Sequence, residues 1–172
     1  MKETILVIGG CRSGKSRHAL YLAEKVPGQK IFIATCIPQD KEMEQRVLLH
    51  QQQRDTTWKI LEAPISLPQA ITKRGLKGNV LLVDCLTLWI NNLIMDDQNA
   101  AKIDIQITEL IRSLEKSECP VILVSNEVGC GIVPENKLAR RFRDITGFAN
   151  QKVADCVDLV IWMAAGIPVK IK

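Results

Sequence analysis

Aromatic side chains are scarce in this chain: three Trp, three Phe and one Tyr. A groove for single-stranded nucleic acid needs stacking platforms interleaved with Lys and Arg, and no stretch combines the two. The net charge of +4 is too mild to call for a phosphate-backbone partner. No apolar run approaches the length of a membrane span. Six cysteines (Cys11, Cys36, Cys85, Cys119, Cys130 and Cys156) form no C-x-x-C pair, and neither of the two histidines stands at zinc spacing from them. They read as the reduced thiols of a cytoplasmic protein, and Met1-Lys2-Glu3 runs into apolar residues without a leader segment. Repeats, low-complexity tracts and linkers are lacking too. The 172 residues are therefore expected to form one domain spanning 1–172, with enough chain to bury a full core.

What the chain does contain is concentrated near its start. An apolar run at residues 5–8 is followed by Gly9-Gly10-Cys11-Arg12-Ser13-Gly14-Lys15-Ser16, which matches the phosphate-binding P-loop. Gly9, Gly10 and Gly14 let the backbone turn its N–H groups onto phosphate oxygens. A helix opening near Lys15 would aim its unpaired N–H groups and positive dipole end at the same anion. Lys15 would neutralise the β and γ phosphates, and the Ser16 hydroxyl would take one position on Mg²⁺. Cys11 is assigned no chemistry beyond its backbone place in the loop.

The remainder alternates strands with helices, which predicts an α/β fold of three layers around a mostly parallel sheet. Residues 19–26 recur at helical spacing until Pro27-Gly28. Residues 31–35 read as a second buried strand, and Ala34 and Thr35 at its end join the candidate nucleotide-binding set. A short strand is expected at 58–62 and a helix at 66–74, with Ser66 as N-cap and Pro68 in its first turn. Val80 to Val83 followed by Asp84 is an apolar strand ending in a carboxylate, the pattern of a strand that holds Mg²⁺ beside a P-loop. Helices follow at 86–95 and 103–116, then a strand at 120–125. That strand opens into Asn126-Glu127-Val128-Gly129-Cys130-Gly131-Ile132-Val133-Pro134, a loop placed to border a ligand crevice. Helical segments at 134–146 and 148–156 precede strands at 157–163 and 167–171. Arg140, Arg141 and Arg143 lie on the first of these segments, with one of them expected to meet phosphate.

Residues 40–54 carry a second constellation. If helical, Met43, Val47 and His50 share a stripe, and Arg46 and Arg54 stand four residues either side of His50. Two guanidinium groups beside an imidazole suit a polyphosphate and keep the ring neutral and nucleophilic. The same spacing suits a histidine at the edge of the core, bonded to backbone. His18, one turn into the P-loop helix, reads as structural or solvated.

Taken together, the P-loop, the segment from Arg46 through His50, Asp84-Cys85-Leu86-Thr87, Asn126-Glu127-Val128-Gly129 to Pro134, and Ala165-Gly166-Ile167-Pro168 form an ordered set. In it the chain resembles the bifunctional adenosylcobinamide kinase and adenosylcobinamide-phosphate guanylyltransferase family of cobalamin biosynthesis. The resemblance implies a recombinase-ATPase-like P-loop fold and two reactions. A nucleoside triphosphate, ATP or GTP, phosphorylates the aminopropanol hydroxyl of adenosylcobinamide. GMP then passes from GTP to adenosylcobinamide phosphate through a guanylylated histidine, which the resemblance places at His50. It also makes Glu62 and Asp84 guanine-nucleotide contacts and implies a homotrimer with the nucleotide near subunit boundaries. Two other readings use the same P-loop: a small-molecule kinase without a covalent histidine, and a nucleotide-driven switch or motor subunit. The short chain and the lack of appended domains speak against the second.

Overall fold

The computed structural model describes residues 2–38, 57–96 and 99–172. Its organising element is a seven-stranded sheet in the order β3-β2-β4-β5-β1-β6-β7. β1 (Thr4–Gly9) lies in the middle, parallel to β5 (Val121–Asn126) on one side and to β6 (Leu159–Ala164) on the other. β4 (Asn79–Asp84) follows β5, then β2 (Gln29–Ala34) and β3 (Lys59–Glu62), all parallel. β7 (Ile167–Lys170) alone runs antiparallel, returning from β6 through a two-residue turn. Both turn residues have positive φ, Ala165 at 49° and Gly166 at 84°, the conformation whose twist matches the strands of a tight hairpin.

Central parallel strands are covered on both faces and so read as unbroken apolar runs. Thr4–Gly9 and Val80–Val83 do so. Alternate residues of these strands serve different cores. Ile5, Val7, Phe32, Val80, Leu82, Ile122, Val124, Ile161 and Met163 pack with Ala19 and Ala23 of α1 (Lys15–Lys25) and with Trp58. Leu6, Ile8, Ile31, Ile33, Leu81, Val83, Val121, Leu123 and Val160 pack against the helices of the opposite face. Those helices are α2 (Leu67–Arg74), α3 (Leu86–Asp96), α4 (Ala100–Lys116) and α5 (Lys137–Cys156). The expected three layers are present, with α1 covering one face of the sheet and the other described helices packing mainly on the opposite one.

The helices differ from the sequence expectation in three details, two of them a starting residue and one a cap. α4 starts at Ala100 instead of 103, because Asn99 caps it by accepting from the Ala101 N–H at 3.0 Å. Ser66 occupies the N-cap position of α2, but its side chain makes no capping bond; its carbonyl takes the Ala70 N–H instead. The helix expected from 134 and continuing through 148–156 is the single helix α5, which begins at Lys137 rather than 134. Asn136 caps it through the N–H groups of Leu138 and Ala139. A glycine inside a helix costs about 1 kcal/mol, and packing of Ala149, Asn150 and Val153 below Gly147 carries the helix through it.

Candidate functional site

The P-loop leaves β1 at Gly9 and enters α1 at Lys15. A Cβ on Gly9 would stand 2.5 Å from the Met163 carbonyl oxygen, so the loop begins where only glycine fits against β6. Gly14 caps α1 in the left-handed conformation, φ 93°. Two backbone bonds brace the loop from outside. The Glu127 N–H donates to the Gly9 carbonyl and the Gly166 N–H to the Ser13 carbonyl, each at 3.0 Å. The sequence-predicted residues Gly9, Gly10, Cys11, Arg12, Ser13, Gly14, Lys15 and Ser16 thus form one continuous turn, held by the loop after β5 and by the last hairpin.

Lys15 is buried, 7 % exposed. Its ammonium donates to the Gly10 carbonyl at 2.5 Å and to the Ser13 hydroxyl at 3.5 Å. Burial pushes its pKa down, while Cys85, Cys11 and the Asp84 carboxylate pull it back up. The cation therefore lies within the electrostatic reach of Asp84, across the mouth of the sheet.

Strand register sets what stands beside Asp84. Asp84 pairs with Ala34, and Ala34 pairs with Glu62 on its other side. All three follow the parity of Phe32 and Leu82, which pack on the α1 face. Asp84 and Glu62 thus close a row at the carboxyl ends of β4, β2 and β3, about 10 Å apart by strand spacing. Thr35, the next residue, lies fully buried beneath this row. Its hydroxyl accepts from the Cys85 N–H and donates to the Cys85 carbonyl, both at 2.8 Å. Asn92 of α3 donates to the Thr35 carbonyl at 2.8 Å and to the Pro64 carbonyl at 3.0 Å. These bonds fasten the ends of β2 and β4 to one another.

A second buried polar group surrounds the end of β5. The Asn126 N–H donates to Thr87 Oγ1 at 2.7 Å, and the Asn126 carbonyl accepts from Asn150 Nδ2 at 3.2 Å. The Ser125 hydroxyl donates to Asn150 Oδ1 at 2.7 Å and lies 3.3 Å from Thr87 Oγ1. Because the Ser125 proton is given to Asn150, Thr87 is left to donate to Ser125. The chain of bonds closes on itself around the Asn126 peptide. Sequence reasoning assigned no role to Thr87, Ser125, Asn150 or Asn92. The signal available was a polar residue at the end of, or inside, an otherwise apolar run.

His50, Arg46 and Arg54 lie outside the described residues. Arg140 and Arg143, counted as candidates for phosphate, spend guanidinium hydrogens on loop carbonyls. Arg140 donates to those of Pro134 and Glu135, and Arg143 to those of Gly129 and Ile132. His18 sits beside Tyr21 with ring centroids 5.9 Å apart. Burial and then Lys25 lower its pKa. No three His, Cys, Asp or Glu side chains gather as a metal cluster among the described residues. A cation there would take one carboxylate and one hydroxyl from the protein and its other oxygens from phosphate and water, which suits Mg²⁺.

A parallel sheet with a P-loop at its central strand and a carboxylate at the end of the next strand but one defines a P-loop nucleotide-binding protein. The solved structures it is similar to have this fold. A KaiC-like protein, PH0186, from Pyrococcus horikoshii superposes with TM-score 0.51 at 16 % identity, over 93 % of this chain and 70 % of that one. The P4 protein of bacteriophage phi6 does so with TM-score 0.50 at 16 % identity, over 97 % of this chain and 54 % of that one. The chain belongs to the cobinamide kinase / cobinamide phosphate guanyltransferase family, whose model matches residues 5–171. It is 38 % identical over 167 residues to the bifunctional adenosylcobalamin biosynthesis protein CobP of Pseudomonas aeruginosa, covering 97 % of this chain and 96 % of that protein. It is 41 % identical over 180 residues to CobU, of the same description, from Salmonella typhimurium, covering 98 % and 99 %. The protein is thus an enzyme of this bifunctional kinase and guanylyltransferase family. No helix among the described residues is long and apolar enough to cross a membrane.

Proposed function

We propose that the protein phosphorylates the aminopropanol hydroxyl of adenosylcobinamide and then converts the product to adenosylcobinamide-GDP. In the first step the hydroxyl oxygen attacks the γ phosphorus of ATP or GTP, its proton leaves, and a nucleoside diphosphate departs. In the second, a histidine nitrogen attacks the α phosphorus of GTP and pyrophosphate leaves. The phosphate of adenosylcobinamide phosphate then displaces the histidine and takes the GMP. The covalent detour suits a poor nucleophile such as a phosphate monoester, because a phosphoramidate is reactive enough to surrender its nucleotide.

The observation that supports this reading is a P-loop with a buried Lys15 following β1 and the Asp84 carboxylate closing β4 two strands away, in a chain matched to the family over nearly its whole length. Lys15 neutralises charge on the phosphates; the Ser16 hydroxyl and the Asp84 carboxylate are the oxygens that would hold Mg²⁺. Such an ion supplies further neutralisation of the β and γ phosphates when bound. Glu62 stands at the outer end of the same row, where it would meet the nucleoside. His50 is the proposed nucleophile, with Arg46 and Arg54 offsetting charge around the α phosphate. A homotrimer with its nucleotide near a subunit boundary belongs to the same proposal.

The test is intact-protein mass after incubation with GTP and Mg²⁺. The wild type should gain a GMP adduct that is acid-labile and alkali-stable, and His50→Ala should gain none while still binding GTP. An adduct persisting in the variant would remove His50 as the nucleophile. A wild type that binds GTP without any adduct would favour a kinase lacking the covalent step.

A further inference from the structure

The loop between β5 and α5 holds an apolar tip out into solvent. Ile132 is 96 % exposed, Val133 65 % and Leu138, at the head of α5, 41 %. Burial favours such side chains turning inward, yet the backbone around them is fastened where it stands. Glu127 Oε1 accepts from the Gly129 N–H at 2.7 Å. Arg143 donates to the Gly129 carbonyl at 2.8 Å and to the Ile132 carbonyl at 3.1 Å, and Arg140 donates to the carbonyls of Pro134 and Glu135. Two arginines of α5 thus grip the loop by its peptide groups on both sides of Val133 and leave the apolar side chains uncovered.

The same loop borders the nucleotide crevice. Its first residue, Glu127, gives its N–H to the Gly9 carbonyl, where the P-loop begins. The row at the ends of β4, β2 and β3 carries the carboxylates of Asp84 and Glu62, so the rim is charged there and hydrocarbon at the loop tip. The acceptor of this family is a cobinamide. Chemically that is a corrin, a flat macrocycle fringed with methyl groups and carboxamide arms, one of which ends in the aminopropanol hydroxyl. Only that arm has to reach the γ phosphorus. The ring is too broad to follow it into a crevice filled by a phosphate chain, so it has to rest on the rim, and an apolar ring face suits hydrocarbon rather than carboxylate.

We propose that Ile132 and Val133, with Leu138 at the head of α5, seat the corrin macrocycle of the acceptor. The ring lies against the loop tip while the aminopropanol arm runs along the start of the loop to the P-loop. A seat fixed by backbone bonds holds the attacking oxygen near phosphorus without ordering the loop at each turnover. The inference rests on the proposed acceptor and adds where that acceptor binds. A second copy of the chain is the competing occupant of an apolar tip, and the experiment separates the two.

Two exposed thiols report on the two halves of the site: Cys11 in the P-loop and Cys130, two residues before Ile132. Wild-type protein is alkylated with N-ethylmaleimide and the extent at each thiol is read by peptide mass. Saturating adenosylcobinamide, kept in the dark, should slow labelling of Cys130 at least about fivefold, whereas GDP with Mg²⁺ should slow Cys11 and leave Cys130 within about twofold. The double variant Ile132→Ser, Val133→Ser should bind adenosylcobinamide at least about tenfold more weakly in equilibrium dialysis, with GDP affinity within about twofold of wild type. It should sediment as wild type does. Undiminished corrinoid affinity in the variant, or a Cys130 that labels freely with corrinoid bound, would overturn the inference and leave the proposed reaction standing. A variant that sediments as a smaller species would overturn it too and give the tip to a second copy. A wild type that binds GDP but no adenosylcobinamide would overturn both the seat and the proposed acceptor.

Discussion

The Gly166 N–H donates to the Ser13 carbonyl at 3.0 Å, fastening the last hairpin of the chain to its phosphate loop. Gly166 reaches this position at φ 84°, and a Cβ there would lie 3.5 Å from an Arg17 guanidinium nitrogen. An L-residue in that conformation costs about 1–2 kcal/mol. Gly166→Ala should therefore lower the melting temperature and weaken nucleotide binding together, since the strained turn is also the brace of the loop. Unchanged nucleotide affinity in a destabilised variant would show that the loop holds its shape without the hairpin.

Lys15 carries a burial cost that its bonds to Gly10 and Ser13 and the charge of Asp84 offset only in part. Its pKa is held below the usual 10.5, first by burial, so the charged form opposes folding at pH values below the folded-state pKa. Lys15→Met removes that opposition while keeping the apolar stem. The variant should bind nucleotide at least about tenfold more weakly, yet melt no lower than wild type at neutral pH. Any excess in its melting temperature should shrink as pH rises toward 10.5. A variant that melts well below wild type at neutral pH would contradict this account.

Asp158 joins the start of β6 to the start of β1. Its Oδ2 accepts from the Thr4 N–H at 2.7 Å and from the Thr4 hydroxyl at 2.8 Å, and these bonds, the backbone one first, hold its pKa below 3.8. A carboxyl with a depressed folded-state pKa stabilises the fold above its unfolded value and loses that contribution as pH falls through the folded one. Asp158→Asn should thus melt lower than wild type at pH 6, with the gap closing below pH 3.8. The carboxylate is largely exposed, so the effect should be small and reduced by salt. A gap that is constant with pH would point to lost packing instead.

The P-loop, the apolar strands and the carboxylate closing β4 were legible because each is a local pattern. Glycine spacing, a run of β-branched residues and a terminal Asp state their geometry within a few neighbours. Helix boundaries were less so, since Asn99 and Asn136 act as caps only once their helices pack. The 134–146 and 148–156 segments continue as one helix although Gly147 is a poor helix former, because packing of Ala149, Asn150 and Val153 overrides that preference. The joining of Thr87, Ser125 and Asn150 was not legible because residues 87, 125 and 150 are far apart in sequence and meet only where α3, β5 and α5 converge. Thr35 stood among the candidate binding residues by its place at a strand end; its hydroxyl is committed to Cys85.

By itself the sequence determined that this chain is an α/β P-loop protein with Lys15 and Ser16 at a helix start and Asp84 at a strand end, because short-range sterics and periodicity suffice for that. Only the tertiary structure decided which strands are neighbours. The placement of β5 between β1 and β4 depends on how helices cover the two faces of the sheet, a balance of burial over the whole domain. The neighbouring of β3, β2 and β4 sets Glu62, Ala34 and Asp84 in one row, and the placement of β5 carries Asn126 to the gap between the phosphate loop and the acid.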